Sequence, residues 1–331
     1  MTESTTALTN WNLLGHEWAV KLLQNHLHSD RLRHAYLLTG PQGIGRRTLA
    51  LRFTQALYAS DHLYYPENRV SQQVANMQHP DLSVVTRQEG DRDIKIEAVR
   101  DLQHSLALSP YTAPYRVALL LNFEEANDNA ANALLKTLEE PADRVILLVT
   151  AESTESLLPT IVSRCEVLRL RPMGMEALTE GLTGRGISPE QAKFLAHASG
   201  GKPGYALHLA NNPEILEQRG EWLTDLQKLI YANRVERFAY AEQLGKDKEG
   251  FVQLMLVWLA YWRDVLLTAS GSHAPLTNQD RVEEIQTLAG KLNLQTAKDV
   301  VVALEDKLGE IRANVNVRLA AEALMLKIPF V

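Results

Sequence analysis

A glycine-rich turn between an apolar run and a helical pattern constrains this chain more than any other feature. Residues 40–48 read Gly40-Pro41-Gln42-Gly43-Ile44-Gly45-Arg46-Arg47-Thr48, behind Ala35-Tyr36-Leu37-Leu38 and ahead of Leu49-Ala50-Leu51-Arg52-Phe53. Strand, glycine turn and helix is the setting of a phosphate-binding loop, and it predicts a parallel α/β sheet around it. In a working loop the last glycine is followed by Lys and then by Ser or Thr. The ammonium meets the β- and γ-phosphates, and the hydroxyl ligates Mg²⁺. Here those places hold Arg46 and Arg47. A planar guanidinium does not replace a point charge, and Arg47 has no group that can ligate a cation. The loop keeps its shape and loses its chemistry.

Nucleotide hydrolysis also needs an apolar strand ending in Asp-Glu, the first for Mg²⁺ and the second to polarise water. The matching run is Val117 to Glu125. Counting back from Asn132-Ala133-Leu134-Leu135-Lys136, the two acidic places fall on Leu121 and Asn122. Glu124 and Glu125, a little further on, read as solvated loop acids. Two independent losses argue against hydrolysis by the chain's own site.

The rest of the 331 residues supports an ordinary globular protein, with 45% hydrophobic and 22% charged side chains. A net charge of −6 argues against strong nucleic-acid binding by this chain alone. The one cysteine, Cys165, excludes an internal disulfide and fits a reducing compartment. Met1 to Asn10 lacks the pattern of a signal peptide. Phe251 to Leu267, interrupted by Gln253, Arg263 and Asp264, reads as a buried helix rather than a membrane span. Strands are predicted at Ala35–Leu38, Leu82–Val85, Val117–Leu121 and Val145–Thr150, with a further short one over Glu166–Leu170. A helix is predicted over Asp128–Glu140, capped by Asn127 and stopped by Pro141. An earlier helical stripe carries Trp18, Leu22, Leu23 and Leu27, and Leu157–Val162 reads as extended. Beyond Arg171 helical periodicity takes over, and Trp258, Trp262 and Leu266 read as helix packing. Glu139-Glu140-Pro141 reads as helix-end punctuation with solvated acids, and His79-Pro80-Asp81 as a strand lead-in.

Three stretches together resemble the AAA+ clamp-loader family of bacterial DNA polymerase III: Gly40 to Gly45, Ala131-Asn132-Ala133-Leu134-Leu135-Lys136-Thr137-Leu138-Glu139-Glu140-Pro141, and Ser163-Arg164-Cys165. Gly15-His16-Glu17, His34-Ala35-Tyr36-Leu37, His79-Pro80-Asp81 and the segment Asn314–Pro329 add to the likeness, which spans essentially the whole chain. Within the family the chain resembles the delta-prime branch, whose own nucleotide site is degenerate. The resemblance implies a RecA-like AAA+ P-loop domain over 1–171, a small helical lid over 172–211 and a C-terminal all-helical collar over 212–331.

It further implies a non-hydrolysing stator within a cytoplasmic assembly that loads a sliding clamp onto primed DNA. Its partners would be gamma- or tau-type motor subunits and a delta subunit. ATP and Mg²⁺ would be held by the motor subunits, with polymerase activity elsewhere in the holoenzyme. Arg164, flanked by Ser163 and Cys165, would be an arginine finger reaching a neighbour's ATP site, the alternative being that it pairs with a nearby acid on its own surface, while Gly40, Gly43, Gly45, Arg46, Arg47 and Thr48 form a loop without productive ATP. Thr150 falls at the polar sensor-1 place, and the sensor-2 arginine falls on Gly204. Many relatives carry a zinc-binding cysteine cluster where Leu57–Gln78 has no Cys, which argues against zinc. Cys165 lacks any signal of a histidine base and reads as a packed apolar residue. The rival readings are an active AAA+ ATPase (a motor subunit or a branch-migration-type machine) and a stand-alone DNA-binding module. Tight Mg²⁺-dependent ATP binding would mark the first, and salt-dependent binding to primer–template DNA the second.

Overall fold

A computed structural model describes residues 10–29, 31–59, 61–312 and 315–331. Most of the stretch read as free of a signal peptide lies outside them, as does Asn314. By compactness the chain divides into two units. One runs to Met173 and takes in Lys202–Tyr205; the other comprises Gly174–Gly201 and Ala206–Val331.

The first unit carries, in chain order, α1 (Glu17–His28), β1 (Ala35–Thr39), α2 (Arg46–Tyr58), α3 (Arg69–Ala75), β2 (Leu82–Val85), α4 (Ile96–Leu106), β3 (Arg116–Leu120), α5 (Asp128–Glu139), β4 (Val145–Ala151), α6 (Pro159–Val162) and β5 (Glu166–Arg169). The strands form one sheet in the order β2-β3-β4-β1-β5, every neighbouring pair parallel. Helices cover both faces, so the strands read as apolar runs rather than as alternations. The period of two is still visible in what each side chain meets. Tyr36, Leu38, Val117, Leu119, Ile146 and Leu148 join Val20, Leu23, Leu49 and Phe53 in one core. Leu37, Ala118, Leu120, Leu147 and Val149 join Val99, Leu102, Leu134 and Leu138 in another.

Asn127 caps α5 as predicted, its side chain accepting from the Ala130 amide at 2.9 Å. Two local expectations fail. Trp18 is half exposed, because α1 buries Ala19, Val20, Leu23 and Leu27 instead. Leu157–Val162 is not extended throughout: Pro159 opens the single turn α6, at the one helical position where its missing N–H costs nothing.

The second unit is helical: α7 (Met175–Thr183), α8 (Pro189–Ala198), α9 (Pro203–Asn211, whose first residues belong to the first unit), α10 (Pro213–Tyr231), α11 (Arg234–Leu244), α12 (Lys248–Ala269), α13 (Val282–Lys291), α14 (Leu294–Arg312) and α15 (Val317–Met325). By length and composition α12 could cross a membrane. Its Phe251, Leu254, Trp258, Trp262 and Val265 are instead at the centre of the helical core. Its Asp264 is fully buried and accepts from the amides of Thr277 (3.1 Å) and Asn278 (2.7 Å) and from the Asn278 side chain (2.8 Å). Asn278 in turn accepts from Arg219 at 2.7 Å, and Arg219 forks onto Asp280 with two bonds of 2.9 Å. The same loop holds α8, since His197 donates from Nδ1 to the Leu276 carbonyl at 2.8 Å.

Arg237 has no carboxylate partner among the described residues; its guanidinium is wrapped in carbonyls. Nε donates to Leu229 (2.9 Å) and Ala232 (3.1 Å), Nη1 to Met325 (3.3 Å) and Ile328, and Nη2 to Ile230 (3.2 Å) and Pro329 (3.0 Å). These oxygens lie at or just past the C-termini of α10 and α15, where unpaired carbonyls and the negative end of the helix dipole call for a cation. Removing it orphans several buried acceptors at once. Arg237→Met should therefore lower unfolding free energy by about 3 kcal/mol, read from urea denaturation. A loss close to zero would show that the cage contributes nothing.

Candidate functional site

Parallel pairing sets where chemistry can occur. In such a sheet ligands are met in the crevice beyond the carboxyl ends of the strands, and three segments converge there. The loop after β1 carries the glycine turn, β3 is followed by Leu121–Glu125, and β4 ends at Thr150 and Ala151. The Gly40 amide shares its hydrogen between the carbonyls of Ala151 (3.3 Å) and Glu152 (3.1 Å). Gly43 and Gly45 have φ of 80° and 107°, conformations that favour glycine, so the turn has the backbone of a phosphate loop. Ile44 is wholly buried, and its carbonyl accepts from His16 Nε2 at 2.8 Å. The Gly15-His16-Glu17 stretch thus supports the loop from behind.

Arg46, the first residue of α2, points inward and is 8% exposed. Its Nη2 donates to Asn122 Oδ1 at 3.1 Å, and Nη1 lies 3.8 Å from Glu124 Oε1. Glu124 accepts from the Glu152 amide at 3.2 Å, and the Thr150 hydroxyl accepts from the Asn122 amide at 2.8 Å. Arg46 and Asn122, which stand where a working phosphate site has a lysine and an acid, therefore bond to each other. Glu124 is not the solvated acid that the sequence suggests: Arg46 lies beside it in a largely buried pocket. The pairing is imperfect. Arg46 Nη1 and Glu124 Oε2 are buried without a hydrogen-bond partner among the described residues. Burial pulls the guanidinium below its ordinary value, against the opposing influence of Glu124 and Glu152. Burial likewise pushes the Glu124 carboxyl up, more than Arg46 draws it down. Arg47 and Thr48 face solvent.

Gly204, where the resemblance places the sensor-2 arginine, lies against the turn. A Cβ there would be 2.8 Å from the Gly43 carbonyl oxygen, and the Tyr205 amide already donates to that oxygen at 2.9 Å. No side chain fits at Gly204 without the backbone moving.

Arg164 and its neighbours are far from this pocket. They precede β5, which runs parallel to β1 with Glu166 beside Tyr36. Arg164 therefore stands at the amino ends of the strands and the glycine turn at the carboxyl ends, a strand length of about 15 Å apart. Its Nη1 donates to the Thr160 carbonyl (2.9 Å) and contacts Ser163 Oγ (3.4 Å), and its Nη2 donates to Glu139 Oε1 (2.7 Å). Glu139 is thus not a free helix-end acid. Cys165 is partly buried, and burial pushes its thiol up to about 12, which fits packing rather than nucleophilic chemistry.

His79-Pro80-Asp81 does more than lead into β2. The buried Asp81 carboxylate accepts from the amides of Tyr111, Thr112 and Ala113 at 2.6–2.9 Å and so anchors that loop. The partnerships of Glu124, Glu139 and Asp81 escape sequence reading because each joins segments at least 25 residues apart. An arginine in place of a lysine, with a new acid downstream of a lost one, was the only available hint.

A family model described as "DNA polymerase III, delta subunit" matches residues 15–174. The chain is 32% identical over 308 residues to DNA polymerase III subunit delta′ of Pseudomonas aeruginosa, covering 89% of this chain and 91% of that one. Its identity to the subunit delta′ of Bacillus subtilis is 28% over 313 residues, 93% and 94% of the two chains. To DNA polymerase III subunit tau of Bacillus subtilis it is 24% over 348 residues, 96% of this chain and 61% of that one.

The raised Glu124 carboxyl makes a pH prediction. A carboxyl held above its ordinary 4.5 in the folded chain contributes stability while protonated, and that contribution is lost as pH rises through the folded value. Glu124→Gln should flatten the decline in unfolding free energy just above pH 4.5, followed by urea denaturation over about pH 4 to 8. A pH profile parallel to wild type would refute the assignment.

Proposed function

The chain belongs to the DNA polymerase III delta-prime subunit family, and on that premise we propose that it is the non-hydrolysing stator of a clamp loader. It would stand beside gamma- or tau-type motor subunits and a delta subunit in the cytoplasm. With them it would open a sliding clamp and close it on primed DNA, using ATP bound by the motors. Arg164 would act in trans as the arginine finger of a neighbouring ATP site.

The observation that carries this reading is the separation of the two arginines. Arg46 is turned into its own pocket and bonded to Asn122, so the residues present do not fit a magnesium-bound nucleotide. There is no lysine for the phosphates, Leu121 and Asn122 replace the metal ligands, and Gly204 presses against the turn. Productive ATP is accordingly no part of this chain's own role. Arg164, a strand length of about 15 Å away, cannot reach that pocket. A nucleotide served by it must belong to another subunit. A guanidinium placed there offsets the charge that develops on the γ-phosphate oxygens.

In GTPases such a finger is worth roughly 10³–10⁵ in rate. Arg164→Ala should therefore silence one neighbouring site in the reconstituted assembly, lowering total ATPase by that site's share and leaving assembly intact. Turnover unchanged at saturating ATP and primed DNA would refute the finger. Equilibrium titration of the isolated chain with ATP, with and without Mg²⁺, tests the other half. Tight Mg²⁺-dependent binding would favour an active ATPase instead.

A further inference from the structure

We infer that Glu139 is a positioning residue for Arg164, holding its guanidinium ready for a neighbouring subunit's triphosphate. The inference rests on the finger reading of Arg164 and adds a residue to it.

Two motifs that look unrelated in sequence meet at this point. Glu139 closes α5, in the stretch Ala131–Pro141, and Arg164 lies in Ser163-Arg164-Cys165, 25 residues on. The Glu139 Oε1 to Arg164 Nη2 distance is 2.7 Å, a close charge-assisted bond. The Thr160 carbonyl takes Nη1 at 2.9 Å from the other side. Both terminal nitrogens are thus held, one by a carboxylate on α5 and one by the backbone of α6. Nε and the second hydrogen of Nη2 have no partner among the described residues, and these suit a planar approach to phosphate oxygens. The Arg164 side chain is about one-third exposed and that of Glu139 about half. So open a pair adds little to fold stability. Its effect is conformational: a long side chain with several rotatable bonds is confined to one place before a partner arrives. That lowers the ordering cost when the neighbour docks.

The test uses the reconstituted clamp-loading assembly, with ATPase measured for wild type, Glu139→Ala, Glu139→Gln, Arg164→Ala and the Glu139→Ala/Arg164→Ala double variant. The Arg164-dependent part of turnover is the difference between wild type and Arg164→Ala. Glu139→Ala should reduce that part about fivefold, the factor expected of an exposed ion pair at the upper end of its range. The loss should fall on kcat with KM for ATP unchanged. Glu139→Gln keeps an oxygen acceptor and should recover much of the loss. In the double variant Glu139→Ala should have no further effect, since there is no guanidinium left to hold. If Glu139→Ala leaves turnover unchanged or raises it while Arg164→Ala lowers it, the finger stands and the positioning role is overturned. A further fall in the double variant also overturns it, because Glu139 would then act by another route. If Arg164→Ala itself changes nothing, the finger reading fails and this inference fails with it.

Discussion

Parallel pairing of β5 with β1 is the constraint on which the functional reading depends. Because both strands run the same way, the loop that follows β1 and the segment that precedes β5 lie at opposite ends of the sheet. An arginine on one cannot serve a pocket on the other. If β5 ran antiparallel, Ser163-Arg164-Cys165 would sit beside the glycine turn and could only act in cis. Strand direction, rather than any single side chain, keeps Arg164 and the glycine turn apart.

The pocket itself shows how an arginine is seated where a working phosphate loop has its lysine. The guanidinium of Arg46 is longer than an ammonium stem, and it reaches Asn122 and the vicinity of Glu124 instead of ending among the loop amides. The Thr150 hydroxyl accepts from the Asn122 amide. Polar groups that would otherwise await a ligand bond to one another. The result is not free of tension, since burial disfavours the charge on both Arg46 and Glu124. Buried ion pairs often gain little against the cost of desolvation. Their arrangement here supports a fixed loop better than a strong one.

Much of this was legible in the sequence. The strands were readable because covered sheets leave long apolar runs, and Asn127 and Pro141 bracketed α5 by local chemistry alone. The glycine turn announced its backbone, and the missing Lys, Ser or Thr and Asp-Glu announced what it lacks. Trp18 misled because helical spacing gives a stripe without saying which edge of it is covered. Leu157–Val162 misled because Pro159 can start a helical turn as readily as interrupt one. The pairings Arg164–Glu139 and Asp81 with residues 111–113 were not legible at all, and Arg46–Glu124 only as the hint of an arginine in a lysine's place. Each depends on tertiary placement, which neither periodicity nor spacing encodes.

The tight seat of Gly204 bears on what the glycine turn can accommodate. With the Gly43 oxygen 2.8 Å from where a Cβ would stand, an arginine cannot stand there while the backbone stays put. A lysine at position 46 would meet a turn bonded to Tyr205 and would have no acids at 121 and 122 beside it. No single substitution at 46, 121, 122 or 204 would therefore bring a lysine, metal ligands and an arginine together around this turn.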